Sequence, residues 1–199
     1  MTDVKAGAAL HRPGWSYIDK NKLDDFTAAD WSIMEPQRQL FYAEHQAAHV
    51  LALMSLEKDH KTFGYRVNNY QHGLQTATMV MRAGHDEEAI VVALLHDIGF
   101  VACPSTHGEF AAALLAAHVS EKHRWMLTHH QIFQQIHLNG YPGVDKHERE
   151  KWRGHPYFEW TAEFVEQFDQ RAIDPGRETL PLEVFVPLVH RVFTRPQRF

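Results

Sequence analysis

Two adjacent residues, His96 and Asp97, close the apolar run Ala89-Ile-Val-Val-Ala-Leu-Leu95 and are followed by Ile98-Gly99. Burying an ionisable group without compensation is costly, so a buried helix that ends on two of them needs a reason. A metal ion supplies one, because imidazole nitrogen and carboxylate oxygen both suit iron, manganese and zinc. Adjacent helical positions point about 100° apart, yet both side chains can reach an ion lying off the helix end. The two oxygens of Asp97 could bridge a pair of ions. The other reading is a helix-terminal histidine followed by an aspartate that caps the next turn. From the pair alone, both stand open.

Further ligands must come from elsewhere in the chain. It holds 16 histidines, more than any single acidic or basic residue type, and they are scattered. His72 sits among Tyr70, Leu74, Thr76 and Ala77. His107 opens a helical pattern, His129 and His130 are neighbours beside Met126 and Ile132, and Asp169 follows Phe168. Taken singly, each reads as an ordinary core or surface residue. Together they place neutral nitrogens and carboxylates on four helices, as metal sites in helix bundles require.

Those helices are legible from periodicity and punctuation. Residues 1–26 read as an arm, ordered where Trp15 and Tyr17 dock. Thr27-Ala-Ala-Asp30 resembles a capping box, and Pro36 suits the first turn of a following helix, whose apolar spacing runs from Gln37 to Glu57. Gly64 is expected to open a helix running to Ala83, with Gly84 at its C-terminus. Asp86-Glu87-Glu88 gives an acidic first turn to the Ala89–Leu95 run, which favours helix over buried strand. Thr106-His-Gly-Glu109 predicts a capped helix to Val119, and Ser120-Glu121 a helix to His137. A loop follows at Asn139–Gly143. A helix after Pro156 carries Phe158, Ala162, Val165, Phe168 and Asp169, and Asp174-Pro-Gly176 ends it. A last helix, Leu182–Phe193, is interrupted or kinked near Pro187.

Composition bounds the answer. At 199 residues the chain reads as one globular domain. The 20 Lys+Arg against 25 Asp+Glu give a net charge of -5, without the basic surplus of a nucleic-acid binder. The basic tail, Arg191, Arg195 and Arg198, reads as a solvated terminus. A single cysteine, Cys103, excludes an internal disulfide and a zinc site built of cysteines. No apolar stretch is long enough for a secretory signal or a membrane span, so the expected location is the cytoplasm. There is no Gly-rich phosphate loop, Gly-x-Ser-x-Gly elbow or His-Glu-x-x-His.

In order and spacing, five segments resemble the signature of the HD-domain metalloprotein superfamily. They are Tyr70-Gln-His72-Gly-Leu-Gln-Thr-Ala, Ala93-Leu-Leu-His96-Asp97-Ile-Gly99, Thr106-His107-Gly-Glu, His129-His130 and Glu166-Gln-Phe-Asp169. They are similar in particular to a subgroup of predicted HD phosphohydrolases that includes the mixed-valent di-iron phosphonate oxygenases; myo-inositol oxygenase is a more distant cousin. The resemblance spans residues 64–170. It implies an all-α fold, a single HD-domain helical bundle over residues 27–199 with an N-terminal helical extension. It further implies that His72, His96 and Asp169 bind one metal ion, that His107 and His130 bind the second, and that Asp97 bridges them. His129 would orient a ligand or substrate, or face solvent. Tyr65, seven residues before His72, would approach the metal from the same helical face or pack at the helix start.

Three departures bear on substrate. Phe100, Gln134 and Glu166 stand where the phosphonate oxygenases carry His, Lys and Arg. Loss of positive charge disfavours a dianionic phosphonate or phosphate. The expected function is therefore a di-iron oxygenase using two iron ions (Fe2+/Fe3+) and dioxygen on another small polar molecule. The alternative is a Mn2+- or Zn2+-dependent phosphohydrolase of a phosphate ester or nucleotide, with Lys122, Arg124, Lys146 or Arg153 meeting the phosphate. A metal-stabilised binding module without catalysis is a third reading. Neither nucleic acid nor membrane is an expected partner, and a homodimer is left open.

Overall fold

A computed structural model describes residues 11–195. Residues 1–10 of the expected arm and Arg198 of the tail lie outside the described residues. Seven α-helices are present, and no strand occurs among the described residues. They are α1 (Ala28–Ser55), α2 (Asn69–Arg82), α3 (Glu87–Leu95), α4 (His107–Leu115), α5 (Glu121–Gln134), α6 (Phe158–Gln167) and α7 (Leu182–Phe193). None of them is long and apolar enough to cross a membrane. The chain divides between Gln46 and Ala47 into two compact units.

In the first unit, residues 11–26 run against the start of α1. Gln37 and Ser16 exchange two hydrogen bonds of 2.7 and 2.9 Å. Arg12 pairs with Glu44, Lys20 pairs with Asp30, and Trp15 packs edge-on to Phe41. Asp30 accepts from the Thr27 amide at 2.7 Å, and its own amide reaches Thr27 Oγ1 at 3.4 Å, so the predicted capping box forms. Pro36 does not start a new helix but lies inside α1. It is exposed, so water can meet the carbonyl that a helix proline leaves unbonded.

The second unit is built around α3. Every residue from Glu88 to Leu95 is buried, as expected of a helix apolar on all sides. It packs against α2, α5 and α7, and α5 in turn packs against α4 and α6. Phe185, Leu188, Val189, Val192 and Phe193 form the inner stripe of α7, which runs on through Pro187 without interruption. Gly84 has φ +82° and closes α2, its amide donating to Met81 O at 3.0 Å.

Two helix starts differ from expectation. Asn68, not Gly64, opens α2: its side chain accepts from the Gln71 amide at 2.9 Å, while Gln71 accepts from the Asn68 amide at 3.1 Å. The Asn68 amide group also donates to the Glu57, Lys58 and His60 carbonyls beyond α1. Thr106 makes no side-chain cap for α4, since its backbone (φ -137°, ψ 26°) is not extended as an N-cap requires. That helix stops at Leu115, short of Val119.

Glu88 ties three elements together. Its carboxylate accepts from the Ser120 amide at 2.6 Å and from His123 Nδ1 at 2.7 Å, and meets Arg195 at 3.4 Å. Arg191 pairs with Glu87 at 2.7 Å, so these two arginines of the basic tail anchor it rather than dangle. Burial raises the Glu88 pKa, but the Ser120 and His123 donors outweigh that and bring it to about 2. The stabilisation is thus complete above 4.5 and is lost as pH falls toward 2. Glu88→Gln should cost about 1–3 kcal/mol near neutral pH. Denaturant unfolding should show the gap from the native protein closing as pH is lowered through that range.

Candidate metal centre

Four imidazoles converge from α2, the end of α3, α4 and α5. His72 Nε2 lies 3.0 Å from His96 Nε2, and His107 Nε2 lies 3.2 Å from His130 Nε2. Asp97 stands between the pairs. Its Oδ2 is 3.5 Å from His72 and 3.6 Å from His96; its Oδ1 is 3.1 Å from both His107 and His130. Asp169 Oδ1 approaches His72 at 3.3 Å and His96 at 3.6 Å. All six side chains predicted to bind metal are therefore brought together. All are buried except Asp97, whose side chain is 15% exposed.

The other ring nitrogen explains the orientation. His96 Nδ1 donates to Ala93 O at 2.8 Å, His107 to Pro104 O at 2.9 Å, and His130 to Leu127 O at 2.7 Å. Each uses the carbonyl three residues back. His72 Nδ1 instead donates to Ala172 O at 3.0 Å. A carbonyl can only accept, so in every neutral ring Nε2 is left with its lone pair facing inward. Metal-binding histidines are held in this way. Lone pairs at about 3 Å repel unless a cation lies between them. Asp169 Oδ2 is also buried without a hydrogen-bond partner. The donor set fits metal: the group His72, His96 and Asp169, and the group His96, Asp97 and His130, could each hold an ion.

Glycines let the helices approach. A Cβ on Gly73, next to His72, would lie 2.6 Å from Leu94 O. A Cβ on Gly108, next to His107, would lie 2.4 Å from Leu127 O, the carbonyl that orients His130. Supporting polar groups carry no motif of their own. Asn69 Nδ2 donates to the Asp97 carbonyl at 2.9 Å and to buried Glu57 at 2.6 Å. Gln134 Nε2 donates to Asp169 Oδ1 at 3.1 Å. The Asn68-x-x-Gln71 capping box was readable in the sequence; the roles of Asn69 and Glu57 left no periodic or motif signal.

A cavity of about 490 Å3 reaches Asp169 and Gln134 and is lined also by Tyr65, His137, Asn139 and Tyr141. No lysine or arginine lines it. Tyr65 is at its wall but not on the α2 face predicted for it, because α2 begins only at Asn69. His129 does not face the imidazole cluster. It stacks on Trp125 with ring centroids 4.1 Å apart, and Trp125 stacks on His155 at 4.2 Å. Phe100 packs against the ring of His107 at 5.4 Å, and Glu166 meets His137 at 3.4 Å. Of the candidate phosphate contacts, Lys122 covers Trp160, Arg153 pairs with Glu150, and Lys146 donates to Asn139 at the cavity wall. Arg124 is exposed.

Burial disfavours every charge here, but the neighbours win. Asp169 and Asp97 raise His72 to about 9 and His107 above its usual range, while the imidazoles hold both carboxylates well below theirs. No protein-family model matches the chain, and no curated protein matches it.

Two outcomes are expected. Without metal, the His72 contribution to stability is complete below about 6.5 and is lost as pH rises through about 9. Metal competes with those protons, so the thermal midpoint of metal-free protein should fall over that range while added zinc or manganese binds more tightly. Gly108→Ala should cost about 1–3 kcal/mol through overpacking, and should lower metal content measured by mass spectrometry while helical circular dichroism persists.

Proposed function

We propose that the chain is an HD-domain di-metal enzyme, a di-iron oxygenase acting on a small polar substrate other than a phosphonate. The observation that carries this reading is Asp97, with Oδ2 toward His72 and His96 and Oδ1 toward His107 and His130. A bridging carboxylate with separate histidine sets on its two oxygens suits a pair of ions. In this reading His72, His96 and Asp169 hold one, and His107 and His130 hold the other. When bound, the pair would supply redox chemistry and a means of engaging dioxygen.

The protein's part is positioning. Backbone carbonyls hold the four rings in one tautomer, and Gln134 keeps Asp169 turned toward His72. Asn69 fixes the backbone at Asp97. Tyr65, Asn139 and Tyr141 surround the substrate in the cavity that reaches Asp169. The absence of cationic side chains from that lining supports a neutral, zwitterionic or cationic substrate. The phosphohydrolase reading, with Mn2+ or Zn2+ on the same donors, has one observation in its favour: Lys146 at Asn139.

Electron paramagnetic resonance on protein loaded anaerobically with ferrous iron and then partly oxidised tests this. A coupled Fe(II)/Fe(III) signal is expected, and Asp97→Ala should lose it together with half or more of the bound iron. Full iron loading in that variant would remove the bridge from the proposal. Absence of the coupled signal at every oxidation level, with manganese-dependent release of phosphate from phosphomonoesters, would favour the hydrolase.

A further inference from the structure

A second recess, of about 330 Å3, lies between α2 and the segment that leads into α7. Arg66, Tyr70, Gln75 and Arg177 line it, with Leu74 and Leu180 as an apolar wall. Most arginines among the described residues stand within ion-pair distance of a carboxylate. Arg66 and Arg177 have no such partner there, and they share this recess. The nearest acid in sequence, Glu178, is taken by Arg82 at 3.2 Å.

Gln75 adds an independent sign. It is 3% exposed. Its Nε2 donates to Asp174 O at 2.8 Å, which fixes the amide and leaves Oε1 as an acceptor. Oε1 is buried without a hydrogen-bond partner, and so is Arg177 Nε. One unmet acceptor and one unmet donor belong to residues of the same recess. Such groups are rare in folded proteins and call for an occupant.

We infer that this recess binds a small organic phosphomonoester, at a site separate from the metal centre. A phosphomonoester carries close to two negative charges, matching the two guanidiniums, and phosphate oxygens suit their donor geometry. Both atoms are enclosed, so the ligand meets them as the side chains lining the recess turn aside: a ligand hydroxyl then donates to Gln75 Oε1 and a phosphate oxygen accepts from Arg177 Nε. Leu74 and Leu180 take the carbon skeleton. At about 330 Å3 the recess exceeds what a bare phosphate fills and lies at the small end of ligand sites. The two sites also sort ligands by charge, since the cavity at Asp169 has no cationic lining. They share a support. Gln75 bonds Asp174, and His72 bonds Ala172, so a ligand drawn to Gln75 and Arg177 acts on the segment that orients one imidazole of the metal centre.

Isothermal titration of metal-free protein with glycerol 2-phosphate, glycerol and inorganic phosphate tests this. Saturable binding of glycerol 2-phosphate, tighter than inorganic phosphate and absent with glycerol, is expected. Arg177→Ala and Arg66→Ala should each weaken it by about tenfold or more. Arg66 is exposed, so its variant should keep the native thermal midpoint, and the test survives if Arg177→Ala folds poorly. Asp97→Ala should bind as the native protein does. The proposal is overturned by no saturation at about 10 mM ligand, by binding indifferent to both arginines, or by equal affinity for inorganic phosphate. Binding lost in Asp97→Ala would instead place the anion at the metal centre.

Discussion

The structure turns on a repulsion that the fold has to answer. With every Nδ1 committed to a carbonyl, the neutral rings of His72 and His96 point lone pairs at each other across 3.0 Å, and His107 and His130 do so across 3.2 Å. Only positive charge between them makes such distances tolerable. Protons drawn in by Asp97 and Asp169 supply it in the protein alone, and metal ions compete for the same places. Six polar side chains can then lie beside an apolar core without being left unpaired.

The core keeps them there. α3 is buried on all sides and delivers His96 and Asp97 at its end. Glycines at 73 and 108 remove the side chains that would hold α2 away from Leu94 and α4 away from Leu127. Packing and polar chemistry are thereby linked at single positions: the carbonyl of Leu127 meets Gly108 on one side and the ring of His130 on the other.

Much of this was legible in the sequence, for reasons that can be named. Acidic first turns and apolar runs announced α3, and Gly84 announced the end of α2. His96-Asp97 stood out because charge at the end of a buried helix demands compensation, and the ordered histidines around it supplied a resemblance that named all six converging residues. What escaped had more than one cause. The start of α2 is marked locally by the Asn68-x-x-Gln71 box, but the expected opening lay at Gly64, so Tyr65 fell outside the helix assigned to it. Pro36 marked a boundary by local rules, and its exposure makes it harmless. His129 and His130 differ only in which face of α5 they occupy, and the stacking of His129 on Trp125 could be seen only in three dimensions.

The anchoring of the four rings has a consequence for the order in which the centre comes into being. Three of them are steered by a carbonyl of their own turn, which exists as soon as that turn is wound. The fourth, His72, waits for Ala172, a hundred residues further on. Three rings thus depend on local winding alone, and the set closes only where residues 169–172 dock and bring Asp169 with them. The group formed by His72, His96 and Asp169 is therefore complete only when the far end of the chain has docked, whereas His96, Asp97 and His130 lie within thirty-five residues of one another.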